Sequence, residues 1–330
     1  MKTITIVVPT YNEEANVTSV YARVRSLFES RLSGYLMELL FIDNGSTDNT
    51  RDLIADIAGK DGRVQAIFNS ANFGFNRSTF YGVSQAEGDC AVLMYADMQD
   101  PPEVIPQMVE KWEQGCQIVV GIKNGCDENF FIRNCRKSYY HLLSKISDTD
   151  HIEQYDGFGL YDRVFIEQIR KLSDPIPYLR GIVAEFGYKR DEVKYDQQKR
   201  ERGKSSFNFM KLYDVAMLGI TSSSKAVMRM ASFIGVGLGI ICIIIAVVTF
   251  VIKLLNWNYF SAGTAAVLVG IFFVGAVQIF FLGFLGEYVL NINIRSMHHP
   301  VVVEARRINM KRDPQNIAED NKAVDGRPEN

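Results

Sequence analysis

A chain of 330 residues has room for two domains and a sizeable core. Its formal net charge of −2 excludes a globally basic nucleic-acid binder. The five cysteines form no CxxC pair, which excludes a disulfide framework and suits reduced thiols in a cytosol-facing protein.

Thr3 to Val8 alternates and is β-branched, a strand that Pro9 is expected to end. Met1-Lys2-Thr3 leads straight into it, so no signal peptide is expected. After the turn Thr10-Tyr11-Asn12, Glu13-Glu14 opens a helix to about Ser30, the acids suiting its positive end. Met37 to Asp43 is a second apolar strand, and Ser46 or Thr47 caps a helix to about Ala58. Arg63 to Asn69 is a third strand and Gly74 to Ala86 a third helix. Cys90 to Ala96 is a fourth strand, Glu103 to Trp112 a helix, and Gln117 to Ile122 a fifth strand. Strands and helices alternating with short links predict a parallel, doubly wound sheet.

In such sheets ligands bind beyond the carboxyl ends of the strands. Polar groups fall there after each of the first four strands: Thr10 to Glu13, Asp43-Asn44, Asn69 to Asn72, and Asp97 with Gln99. Asp97 and Gln99 lie two apart, so in extended geometry both project to one side. Their oxygens suit a hard cation, Mg²⁺ or Mn²⁺, holding a diphosphate; an ordinary Asp-Pro turn is the alternative. No G-x-G-x-x-G and no Walker A pattern is present, so neither a dinucleotide fingerprint nor a P-loop is indicated.

Further on, Lys199-Arg200-Glu201-Arg202-Gly203-Lys204 is a basic cluster, either an anion-binding loop or a solvated one. In Phe207 to Thr221, Met210, Tyr213, Met217 and Ile220 recur at helical spacing, as in a helix lying at a membrane interface or facing a core. Two charge-free stretches, about 231–252 and 264–286, each exceed the roughly 20 apolar residues that cross a bilayer. Lys225 and Arg229 precede the first; Arg295, Arg306, Arg307, Lys311 and Arg312 follow the second. The loop between carries only Lys253, beside Trp257, Tyr259 and Phe260. Both termini are therefore expected in the cytoplasm, with the chain multi-pass in the plasma (inner) membrane. Gly235, Gly239 and Gly270 permit close helix packing and so a homo-oligomer. His298-His299 reads as a solvated pair, and the polar tail beyond Met297 as disordered.

Val8-Pro9-Thr10-Tyr11-Asn12-Glu13, Ile42-Asp43-Asn44-Gly45-Ser46-Thr47-Asp48 and Ala96-Asp97-Met98-Gln99-Asp100-Pro101-Pro102-Glu103 resemble the three signatures of family 2 glycosyltransferases with the GT-A fold. The chain is similar, more narrowly, to the polyprenyl-phosphate glycosyltransferases, over about residues 3–290. The resemblance implies a GT-A, Rossmann-like α/β catalytic domain over 1–165 and an acceptor-side segment with the basic loop and interfacial helices over 166–228. It also implies a transmembrane hairpin over 229–290 and a tail over 291–330. Pro9, Tyr11 and Glu13 would line the nucleotide pocket, with Asp43 on the base and Asn72, Gly74 and Arg77 near the nucleotide. Asp97 and Gln99 match the metal ligands, and Arg180-Gly181 an element on the acceptor side. Arg200, Gly203, Lys204 and Ser205 resemble the segment that gates the site and contacts phosphate.

Three positions depart from the family pattern. Tyr95 and Asn44 each stand where an acid is usual, and Gly157, in Asp156-Gly157-Phe158-Gly159-Leu160, stands where an acid often sits. Asp156 and Asp162 are the acids nearby. The activity implied is inverting, metal-dependent transfer of a hexose from a nucleotide sugar, UDP-hexose favoured over GDP-mannose, to polyprenyl phosphate. Two other readings are a polysaccharide synthase and a nucleotide-sugar-binding scaffold. The synthase predicts a Q-x-x-R-W element, yet Trp112 and Trp257 are the only tryptophans and neither is so placed. A phosphate acceptor, with a second pKa of about 6, is already mostly anionic at neutral pH. It then needs a general base less than a sugar hydroxyl would.

Overall fold

The structure, a computed structural model, describes residues 1–124, 152, 154–172, 174–197, 264–296 and 299–310, with isolated positions between 241 and 255. The chain divides into two compact units. One comprises 1–129, 152–206 and 298–330, the other 130–151 and 207–297.

The first unit is built on an eight-stranded sheet. Its strands are β1 (Thr3–Thr10), β2 (Leu36–Asp43), β3 (Val64–Asn69), β4 (Cys90–Leu93), β5 (Ile118–Lys123), β6 (Gly159–Asp162), β7 (Arg190–Tyr195) and β8 (Glu304–Ile308). They lie in the order β7-β5-β6-β4-β1-β2-β3-β8. The helices are α1 (Val17–Ser30), α2 (Thr50–Lys60), α3 (Phe75–Gln85), α4 (Ile105–Glu113), α5 (Arg163–Ile169) and α6 (Leu179–Glu185). Alternation along β1 sends Ile4, Ile6 and Val8 into a core shared with α1, α2 and α4. Val7 goes to the opposite core, with Phe80 and Val83 of α3 and Phe165 and Ile166 of α5. Both faces are covered, which is why the strands read as nearly continuous apolar runs.

The expectation of a purely parallel sheet is corrected. β1 pairs in parallel with β2 and β4, but β6 lies antiparallel between β4 and β5, and β8 antiparallel on β3. β6 and β8 have only 4 and 5 residues, too few for a period to be read. The sheet also takes in residues beyond 165, because β7 pairs in parallel with β5.

Several boundaries shift for local reasons. Pro9 does not end β1, which continues to Thr10. The Val7 carbonyl accepts Met94 N on the β4 side, and the Thr10 carbonyl accepts Asn44 N on the β2 side. Pro9 therefore turns its missing N–H toward β4, whose pairing with β1 has already ended at Leu93. α1 starts at Val17 and not at Glu13, since Glu13 to Asn16 first forms a turn closed by Asn16 N on the Glu13 carbonyl. α2 starts at Thr50, whose N–H is taken by Asp48 Oδ1; Ser46 serves the preceding loop instead.

The expected disordered tail is also corrected up to residue 310. Tyr81 donates to Glu304, Arg307 pairs with Glu304, and Asn309 Nδ2 donates to the carbonyls of Ala58 and Val64 at 2.8 Å each. β8 thus covers an otherwise open β3 edge.

Of the second unit, the structure describes α7 (Thr264–Ser296), 33 residues long. Counting only residues whose side chains are described, no helix is long and apolar enough to cross a membrane. The expected span 231–252 and interfacial helix 207–221 lie almost wholly outside the described residues.

Candidate active site

The order of the parallel strands reverses beside β1: β2 and β3 follow on one side, β4 on the other. Such a switch point opens a crevice beyond the strand ends, and the loops after β1, β2 and β4 all reach it.

The first two loops are knitted together. Asn12, at φ 56, donates its N–H to Ser46 Oγ at 2.9 Å and accepts Thr47 N at Oδ1 at 2.9 Å. Glu13 N donates to Thr50 Oγ1 at 2.8 Å, and Glu13 Oε2 accepts Asn16 Nδ2 at 2.6 Å. Tyr11 is exposed at the rim, with Pro9 half-buried behind it.

Asp43 is fully buried. Its carboxylate accepts Gly45 N, Ser46 N and, at 2.6 Å, Arg51 Nε. These bonds shape the loop that follows β2. Gly45 is required there, because a Cβ would lie 2.6 Å from the Ala71 carbonyl carbon. Asn44 explains its own departure from an acid. Its Nδ2 donates to Asn72 Oδ1 at 3.0 Å while its Oδ1 accepts Phe73 N at 3.0 Å, and a carboxylate could make only the second bond. Asn72 Oδ1 also accepts Gly74 N. Arg77 Nε and Nη2 donate at 2.7 Å to the carbonyls of Val301 and Pro300.

The fourth loop differs most from expectation. β4 stops at Leu93, and Met98 has a φ of 59. Asp97-Met98-Gln99 is therefore a turn, closed by Gln99 N on Asp97 Oδ1 at 3.2 Å, and the two side chains are not related by extended geometry. Next to it Asp100 is buried, accepts the Tyr195 hydroxyl at 2.5 Å and lies 3.9 Å from Lys123 Nζ. Burial first, then the charge of Asp156, pushes its carboxyl up to about 7. Lys123 Nζ pairs with Asp156 Oδ2 at 2.5 Å. The sequence singled out neither Lys123 nor Tyr195 and showed Asp100 only within the Ala96–Glu103 signature; packing alone brings the three together. Asp162 has a structural task, capping α5 through Val164 N and accepting Trp112 Nε1.

Behind Asp156 a cleft is lined by Phe75, Thr79, Tyr95, Gly157, Leu179 and Arg180. The Arg180 guanidinium lies 5.4 Å from the Tyr178 ring centre. Thr79 Oγ1 is buried with no partner among the described residues. Burial, followed by the charge of Asp156, pushes the Tyr95 phenol far above its ordinary range, so it stays a neutral donor. The expected Arg200, Arg202, Gly203, Lys204 and Ser205 lie outside the described residues.

Among the described residues no cluster of three or more His, Cys, Asp or Glu side chains could enclose a metal. Mg²⁺ or Mn²⁺ shared with a diphosphate needs only one or two protein oxygens, the remainder coming from phosphate and water. Asp97 presents a carboxylate at the switch point, and its charge joins that of Asp156 in acting on Asp100. The residue types fit such a cation.

Comparison with known proteins agrees with this architecture. The Glycosyl transferase family 2 model matches residues 5–170, half of the chain. A bactoprenol glucosyl transferase of Shigella phage SfV is 34% identical over 298 residues, covering 90% of this chain and 96% of that protein. A prophage bactoprenol glucosyl transferase homolog of Escherichia coli K12 is 32% identical, covering 92% and 98%. The uncharacterized glycosyltransferase YkcC of Bacillus subtilis is 30% identical, covering 90% and 92%. A glucosyl-3-phosphoglycerate synthase from Mycobacterium tuberculosis, crystallised with Mn²⁺, UDP and phosphoglyceric acid, overlays with a TM-score of 0.45 at 18% identity, covering 66% and 75%. That overlay is too loose to argue from. With half of the chain matched by the family model and relatives covered nearly end to end, the chain belongs to glycosyl transferase family 2 and is a transferase enzyme.

Proposed function

We propose that the enzyme transfers a hexose, glucose favoured, from a nucleotide sugar to a polyprenyl phosphate such as undecaprenyl phosphate, with inversion at the anomeric carbon. UDP-hexose is favoured over GDP-mannose as donor. The observation that carries this reading is the end-to-end likeness to relatives named bactoprenol glucosyl transferase, which takes in the apolar C-terminal region as well as the sheet domain.

The donor lies across the switch point, against Pro9, Tyr11 and Glu13 on one side and Asn72 and Gly74 on the other, with Asp43 holding their loop in shape. Asp97 and Gln99 are the residues that would hold Mg²⁺ or Mn²⁺, which when bound offsets charge on the departing diphosphate. A phosphate oxygen of the acceptor forms the new bond to the anomeric carbon as the bond to the diphosphate breaks on the opposite face. The acceptor's second pKa of about 6 leaves little proton to remove at neutral pH. That suits an Asp156 engaged in an ion pair with Lys123. Arg180, with Arg200, Lys204 and Ser205 of the basic loop, supplies cations and donors for the acceptor phosphate.

The membrane assignment belongs to the same proposal. Val267, Ile271, Ile279 and Leu282 of α7 are exposed, as lipid-facing side chains would be, and 231–252 supplies the other span. The enzyme is then multi-pass in the plasma membrane with its catalytic unit and both termini cytoplasmic, and the span glycines allow self-association.

Purified protein in detergent, supplied with Mg²⁺ or Mn²⁺, undecaprenyl phosphate and a panel of labelled UDP- and GDP-hexoses, is expected to yield a chloroform-extractable glycolipid. Asp97→Asn is expected to lower that rate about a hundredfold or more. No lipid product with any donor would overturn the acceptor assignment, and label appearing in a growing glycan would point to a polysaccharide synthase.

A further inference from the structure

Two of the departures from the family pattern, Tyr95 and Gly157, meet in space. Gly157 has a φ of 120, and a Cβ built on it would lie 2.5 Å from the Tyr95 hydroxyl. The next nearest atom, Leu93 Cδ2, is at an ordinary 3.5 Å. The phenol oxygen therefore fills the volume that a side chain at 157 would occupy.

That same hydroxyl donates to the Asp156 carbonyl at 2.8 Å. Tyr161 donates to the Gly157 carbonyl at 2.7 Å, and the Tyr155 hydroxyl lies 2.5 Å from that of Tyr161. Phenols thus grip two successive carbonyls of one short segment. The ring of Tyr95 is itself braced by Phe75, at 5.4 Å between centroids. Held this way, the segment turns the Asp156 carboxylate to Lys123 at 2.5 Å, beside the cleft.

We propose that Tyr95 and Gly157 are an interlocked pair and that Tyr95 is a positioning residue, acting through the backbone of Asp156 to fix where that carboxylate and Lys123 stand. Where acids are usual at 95 and 157, the pair supplies instead a rigid support under Asp156. A phenol suits this because it donates without carrying charge, and because it reaches from just beyond β4 to the segment that leads into β6. The functional part of the proposal rests on the transfer reaction above; the interlock does not.

The full-length enzyme in detergent tests both parts. Tyr95→Phe removes the hydroxyl and keeps the ring, so kcat is expected to fall about tenfold, as for one lost positioning hydrogen bond, with donor KM within about twofold. In an Asp156→Asn background the same change is expected to cost less than about twofold, because the group being positioned is gone. Losses that multiply independently would assign Tyr95 to a separate role and overturn the positioning claim. Thermal unfolding tests the interlock without substrate. Gly157→Ala is strained at its φ in any background, yet its drop in Tm is expected to be clearly smaller in Tyr95→Phe than in the parent, since the clash is removed. Equal drops would overturn the interlock, whatever the acceptor proves to be.

Discussion

Asp61 illustrates what a single side chain contributes at the turn between α2 and β3. Its carboxylate accepts Arg63 Nη2 at 2.7 Å, Arg63 N at 3.0 Å and the Tyr21 hydroxyl at 3.0 Å, tying α1 to the sheet. Hydrogen bonding to Arg63 holds its pKa far below the usual carboxylate range. A depressed pKa stabilises the fold above the pH where unfolded aspartate titrates, and that stability is lost as pH falls toward the folded value. Asp61→Asn is therefore expected to cost about 1–3 kcal/mol at pH 7. The gap to the parent should shrink as pH falls below about 4, the range of an ordinary aspartate. Thermal unfolding at pH 7 and at pH 3 checks this; a gap indifferent to pH would remove the carboxylate charge as its cause. At this scale the sequence was legible where one residue has one task. The loop-holding task of Asp43 was not legible, because residue type does not say which backbone N–H groups and cations a carboxylate will meet.

Among the elements, β8 is the least legible and the most consequential. Val302 beside it is buried, and the Glu304–Arg307 pair keeps side-chain exposures of only 11% and 7%. Its polar composition reads as tail because the apolar contact is supplied by β3, not by its own pattern. Arg307→Ala would strand Glu304 at the edge of the sheet and is expected to destabilise the catalytic unit by about 3 kcal/mol. The double change Glu304→Gln with Arg307→Met should lose less, since no charge is left unpaired. Thermal unfolding of the single and double variants decides it; equal losses would show that burial of Arg307, not its pairing, matters. Just before β8, Pro300 and Val301 hold Arg77, a contact between residues more than two hundred positions apart that no local pattern encodes.

For the whole molecule, the decisive prediction concerns the second unit. No charge interrupts Thr264 to Gly286, and α7 is one helix across that stretch. At about 1.5 Å per residue its length exceeds a bilayer core of roughly 30 Å. Protein expressed in bacteria is expected to stay in the membrane pellet through alkaline carbonate extraction. Release into the soluble fraction would overturn the transmembrane assignment and leave α7 as a helix packed within protein.

The sequence by itself determined the alternation of strands and helices, the four polar strand ends and the charge-free C-terminal stretches. Each of these follows from local periodicity and composition, which neighbouring residues carry among themselves. Only the tertiary structure decided that β6 and β8 enter the sheet, that Asp100, Lys123 and Asp156 stand together, and that Tyr95 and Gly157 share one volume. These depend on which distant segments come to lie side by side. Close packing then makes the size of one residue a condition on another.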